Sequence, residues 1–191
     1  MPDSFYGMHW MLATPFDQEE EVDYESIPYL VAEAISSGCT GVVGLGVMGE
    51  AARLSDKERT KIAETIIDAA GNLPVTLGTT ANGTKAMIER SKEAEQLGAA
   101  AVMVSAPSMP KANLDALFGY YYQLAGQISI PIVMQDYPQT SGVEMPVDFV
   151  VRVANEIPNV KYLKLEDPPT PTKISAIRNK IQDRLGIFGG L

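Results

Sequence analysis

Lys164 and Glu166, two residues apart in the segment VKYLKLEDPPTP (160–171), are residue types from which carbonyl chemistry can be built. The run that holds them is apolar and stops at Pro168, so it reads as a buried strand. Side chains alternate along a strand, which puts Leu163 and Leu165 on one face and Tyr162, Lys164 and Glu166 on the other. Lys161, at the start of the run and on the leucine face, reads as a solvated surface charge. Lys164 lies near the carboxyl end and points toward a confined interior. Poor hydration disfavours an ammonium, and the neutral amine is the form that attacks a carbonyl. Glu166 could move the proton; the plainer alternative is a structural ion pair with Lys164. Strand parity alone leaves both open.

A second candidate lies in GLGVMGEAARLS (44–55), a glycine-bracketed turn whose backbone N–H groups could hold a carboxylate. A tight turn needs glycine anyway. The segment lacks the lysine and spacing of a P-loop and does not match GxGxxG, so no nucleotide cofactor is expected. His9 is the one histidine and Cys39 the one cysteine, which leaves no metal-binding cluster and no intrachain disulfide. With 15 basic against 24 acidic residues and a net charge of -9, nucleic acid and anionic membranes are poor partners. No apolar run approaches the roughly 20 residues of a spanning helix. The opening MPDSFYGMHWMLATPF has no basic segment followed by an apolar core, so an unexported protein in a reducing cytoplasm is expected. His9 and Trp10 read as packing, and YYY (120–122) as a core or interface patch.

The elements that must position these residues alternate regularly. Strands are expected at 8–16, 39–46, 74–80, 100–106, 131–138, 160–167 and 185–190, and helices at 24–36, 55–70, 84–97, 113–126, 147–156 and 172–185. Ser55 and Glu58 have capping-box spacing, and Gly38, Gly71 and Gly98 sit where helix ends favour a left-handed residue. Strand–helix alternation implies right-handed crossovers and a parallel sheet, either doubly wound or closed as a barrel. A barrel takes about 250 residues. The chain has 191 and stops as a seventh strand is completed. The expectation is therefore one α/β domain over 1–191, a (β/α)8 TIM barrel truncated after strand 7; a complete seven-stranded open sheet is the alternative.

Taken in order, ATPF (13–16), GLGVMGEAARLS (44–55), PVTLGTT (74–80), PIVMQDYPQTSGV (131–143) and NVKYLKLED (159–167) resemble the dihydrodipicolinate synthase and N-acetylneuraminate lyase family. The resemblance implies a barrel, a homo-oligomer when full length, and a strand-six lysine that forms a Schiff base with a 2-keto acid. Lys164 occupies that position. Val47 and Met48 stand where typical members have hydroxyl residues, and Gln135 where the family usually has a catalytic tyrosine. The arginine that synthases use after strand five is absent from PQTSG (138–142), so dihydrodipicolinate synthesis is not expected. A glutamine in the tyrosine position and a glutamate two beyond the lysine are similar to the branch that dehydrates 2-keto-3-deoxy sugar acids. On that resemblance Lys164 is the nucleophile, Glu166 moves the proton and Gln135 orients substrate. The backbone of Val47, Met48 and Gly49 holds a carboxylate, with Tyr137 and Gly190 as further substrate contacts. A retro-aldol lyase using the same lysine and a non-catalytic remnant are the alternatives.

Overall fold

The computed structural model describes residues 5–190. The first four residues of the stretch read as unexported fall outside them. Within this range the chain runs β1 (His9–Met11), α1 (Ile27–Ser36), β2 (Gly41–Gly44), α2 (Asp56–Ala70), β3 (Val75–Gly78), α3 (Thr84–Leu97) and β4 (Ala101–Ser105). It continues through α4 (Leu114–Ala125), β5 (Ile132–Asp136), α5 (Pro138–Ser141), α6 (Val147–Glu156), β6 (Val160–Leu165), α7 (Thr170–Ile181), a single 3-10 turn at Gln182–Arg184 and β7 (Gly186–Gly189). The strands follow one another in the sheet in chain order, β1 to β7. A doubly wound sheet reverses direction at an internal first strand. Chain order from one edge to the other is instead the topology of a (β/α)8 barrel through its seventh strand.

The chain divides into two compact units, one comprising Gly78 and the residues before it with Glu93–Val102, the other Thr79–Lys92 with the chain from Met103 on. In the first unit β1, β2 and β3 pair in parallel. Ser55 and Glu58 form the expected capping box at the start of α2. The buried Arg59 on α2 donates to the carbonyl of Ala51 at 2.8 Å and to that of Gly78 at 2.7 Å, tying the loop after β2 to the end of β3. Gly78 has no substitute there, because a β-carbon would run into the carbonyl oxygen of Leu45. His9 packs as expected, its ring 5.3 Å from that of Phe5. Trp10 is more exposed than a packing residue should be, at 37%. The first strand is also much shorter than 8–16, since Pro15 has no N–H for a ladder and Thr14 turns to donate to the Gly49 carbonyl at 2.7 Å.

In the second unit β5 pairs in parallel with β6, and β6 with β7. Every residue of β5 is buried, as expected of a parallel strand covered on both faces. On α6 the buried residues are Phe149, Val150, Val153 and Ala154, one stripe at helical spacing. Tyr121 is fully buried and donates its hydroxyl to the Val104 carbonyl at 3.0 Å, whereas Tyr122 is exposed, so the YYY patch is split between core and surface. Several boundaries differ from expectation, β6 ending at Leu165 and α7 at Ile181, and two of the shifts are set by proline. Pro138 opens the short α5 instead of ending a strand, and α7 begins at Thr170 with Pro171 in its first turn, where a missing N–H costs no hydrogen bond. Among the described residues no helix is long and apolar enough to cross a membrane.

Candidate active site

Register at the carboxyl ends of the second unit's strands decides what meets. Gln135 of β5 lies beside Lys164 of β6, which lies beside Phe188 of β7. Partners in a parallel ladder point to the same face, so all three share the face that carries Tyr162. One step on, the backbone N–H of Glu166 donates to the Asp136 carbonyl at 2.9 Å, which extends the β5–β6 ladder and brings Glu166 round to the same face.

The side chains join there. Lys164 Nζ is 2.7 Å from Glu166 Oε1, and Gln135 Nε2 donates to Glu166 Oε2 at 2.7 Å. The pair is secluded, the Lys164 side chain being 14% exposed and that of Glu166 8%. Gln135 is buried as well. Each oxygen of the carboxylate thus has one partner, a cation on one side and a neutral amide on the other. The amide fixes the plane of the carboxylate, and the ammonium lies within reach of direct proton exchange. On the same face the rings of Tyr162 and Phe188 pack together, their centroids 5.9 Å apart. Burial pushes the Tyr162 phenol up from its ordinary range, so it stays protonated. Gly186 makes space for that ring, since a β-carbon there would lie 2.5 Å from it.

Gly190 has a geometric role in the same place. Its N–H donates to the Leu165 carbonyl at 3.1 Å, and a β-carbon at Gly190 would lie 2.5 Å from Glu166 Cγ and 3.0 Å from Oε1. Glycine there leaves room for the carboxyl group. Tyr137 caps α5 with its carbonyl, which accepts from the N–H groups of Thr140 and Ser141 at 3.1 and 3.0 Å. Lys161 is partly buried at the start of β6, where the register with β5 shifts, so it is less fully solvated than its position in the sequence implies.

In the first unit, Val47 and Met48 turn their side chains to solvent, at 47% and 62% exposure, while Gly49 is buried. They do not fill space in the core. The turn is held by non-glycine residues in the left-handed region, Leu45 at φ 58° and Glu50 at φ 52°. A β-carbon at Gly49 would press on the Leu12 carbonyl oxygen at 3.3 Å.

The sequence reading missed Lys173. Its Nζ lies 2.6 Å from Asp136 Oδ2 and 2.7 Å from Asp167 Oδ2, with Asp136 fully buried. Asp136 adjoins Gln135 on β5, and what it pairs with lies 37 positions further along the chain. Among the described residues no group of three or more His, Cys, Asp or Glu side chains is arranged to hold a metal ion.

Residues 4–191 match the Dihydrodipicolinate synthetase family. The 4-hydroxy-tetrahydrodipicolinate synthase of Oceanobacillus iheyensis is 32% identical over 180 residues, covering 94% of this chain and 60% of that protein. The corresponding Bacillus subtilis synthase is 29% identical over 162 residues, covering 84% of this chain and 56% of its own. Among solved structures, dihydrodipicolinate synthase from Aquifex aeolicus has a TM-score of 0.91 at 28% identity, covering 97% of this chain and 63% of that one. The chloride-inhibited enzyme from Acinetobacter baumannii, complexed with pyruvate, has a TM-score of 0.86 at 31% identity, covering 95% and 62%. The chain therefore spans less than two thirds of each of these proteins.

Proposed function

The chain belongs to the dihydrodipicolinate synthetase family, and from that premise we propose that it is a Schiff-base lyase acting on a small 2-keto acid, with Lys164 as the nucleophile. The observation that carries the reading is the run of contacts from Lys164 Nζ through the Glu166 carboxylate to Gln135 Nε2 at the carboxyl ends of β5 and β6. Barrel enzymes carry their catalytic groups at those ends.

The chemistry follows from the pair. Glu166 accepts a proton from the ammonium, and the neutral amine of Lys164 adds to C2 of the keto acid. Glu166 returns the proton to the carbinolamine hydroxyl, which leaves as water and gives the imine. The imine then serves as an electron sink. In the finer reading the substrate is a 2-keto-3-deoxy sugar acid: Glu166 removes a C3 proton to form the enamine, the C4 hydroxyl is protonated and leaves as water, and hydrolysis frees the product and Lys164. Glu166 is suited to the C3 proton because it lies beside the nitrogen to which C2 is bonded. Gln135 is no acid or base near neutral pH, and its part is to hold the carboxylate and orient a substrate hydroxyl. The backbone N–H groups of Val47, Met48 and Gly49 take the C1 carboxylate in this reading, and Tyr137 and Gly190 adjoin the substrate. The full-length protein is proposed to be a homo-oligomer.

Borohydride trapping with pyruvate and with 2-keto-3-deoxyarabonate, followed by peptide mass mapping, tests the proposal. The expected result is one reduced adduct on the peptide containing Lys164. Folded protein that forms no adduct with either acid would show a non-catalytic remnant and overturn the reading. Product analysis resolves the finer step, since dehydration retains the whole carbon skeleton and retro-aldol cleavage releases pyruvate.

Gly190→Ala provides an independent check on the geometry. The added methyl would lie 2.5 Å from Glu166 Cγ, so the carboxyl group must shift, and a misplacement of about 1 Å costs about 100-fold in rate. A kcat reduced to that extent in the folded protein is the expected outcome.

A further inference from the structure

We infer that Lys173 is a positioning residue for the Lys164–Glu166 pair, fastening the ends of β5 and β6 from the face opposite to the site. Its catalytic meaning rests on the function proposed above. Gln135 and Asp136 are neighbours on β5 and so face opposite ways, and Glu166 and Asp167 follow one another just beyond β6. On the inner face Gln135 bonds Glu166 at 2.7 Å, and on the outer face Lys173 bonds Asp136 at 2.6 Å and Asp167 at 2.7 Å. The Glu166 N–H to Asp136 carbonyl bond, 2.9 Å, runs between the two. Glu166 and the amide that orients it, Gln135, are thus each next in sequence to an aspartate held by Lys173.

The ammonium is well placed for this task. Lys173 lies in the second turn of α7, a helix anchored by the buried Ile177 and Ile181, and its side chain is 12% exposed. Asp136 depends on it strongly: Oδ1 is buried without a hydrogen-bond partner, so Oδ2 and Lys173 carry the carboxylate's side-chain bonding. Burial pushes the Asp136 carboxyl up, with Asp167 and Glu144 adding to the rise, and Lys173 is the group that opposes it. Asp167 is the accessible arm, its side chain 25% exposed, so its removal breaks the link to β6 while the buried Asp136–Lys173 pair stays intact.

The test uses the 191-residue chain labelled with nitrogen-15 and reads the side-chain amide of Gln135, which reports its bond to Glu166 with no substrate present. In Asp167→Ala, hydrogen exchange at that amide should speed up about tenfold as the local structure opens more often. Turnover of 2-keto-3-deoxyarabonate should fall about tenfold in kcat with KM little changed. Asp167→Asn, whose carbonyl oxygen still accepts from the ammonium, should restore both. Lys173→Met should exceed Asp167→Ala in both readouts; if it does not fold, Asp167→Ala decides alone. A Gln135 amide that exchanges at the wild-type rate in folded Asp167→Ala overturns the inference. Wild-type protein that traps no imine refutes the proposed function instead, while the amide readout still decides the positioning role.

Discussion

Replacing Lys164 with arginine is expected to abolish imine trapping completely while leaving the protein folded. Alanine is the simpler substitution but the poorer test. Removing one partner of a secluded ion pair leaves the other charge uncompensated, at a cost of about 3–5 kcal/mol, and Glu166 would be that charge. Such a loss is a large share of the roughly 5–15 kcal/mol that holds a domain together. Inactivity of Lys164→Ala would then not distinguish a lost nucleophile from a lost fold. Arginine keeps the positive charge and donors toward Glu166, yet its guanidinium does not deprotonate in proteins and so cannot become a nucleophile. The expected result is a cooperative thermal transition, no borohydride adduct with pyruvate, and turnover lowered about 10,000-fold or more. An adduct retained at full yield in Lys164→Arg would place the nucleophile elsewhere. Lys161 would then be the first residue to examine.

Much of this arrangement was legible because it depends on local rules. Alternation along one strand put Lys164 and Glu166 on a single face, and the contact between them is 2.7 Å. Helix ends were legible for the same reason: the Ser55–Glu58 box formed, and Gly38, Gly71 and Gly98 all have positive φ. The pairing of Gln135 with Glu166 was not legible, since it depends on the register between β5 and β6, which no local pattern states. Lys173 was hidden for a related reason. A lysine early in a helix is ordinarily a solvated charge, and only the tertiary fold, which brings Lys173 to Asp136, makes it the partner of a buried aspartate. The first strand was overextended because apolar residues continue past Met11, although Pro15 and the turn of Thr14 toward Gly49 end the ladder early.

Glu166→Gln separates proton transfer from ion pairing, the two roles that strand parity left open. Glutamine has nearly the shape of glutamate and keeps a carbonyl oxygen that can accept from Lys164 or from Gln135. What it lacks is the capacity to take up and release a proton near neutral pH. If Glu166 moves protons, kcat at neutral pH should fall by about 100- to 10,000-fold, the usual worth of a positioned acid or base. KM should change little, because the proposed part of Glu166 is to move protons and not to bind the substrate. Trapping with pyruvate should slow at neutral pH and recover at high pH, where hydroxide replaces the carboxylate in deprotonating the amine. If Glu166 only neutralises the lysine, stability should drop while kcat in the folded fraction stays within about tenfold of wild type. The recovery of trapping at high pH carries the distinction, since a lost ion pair would not be restored by added base.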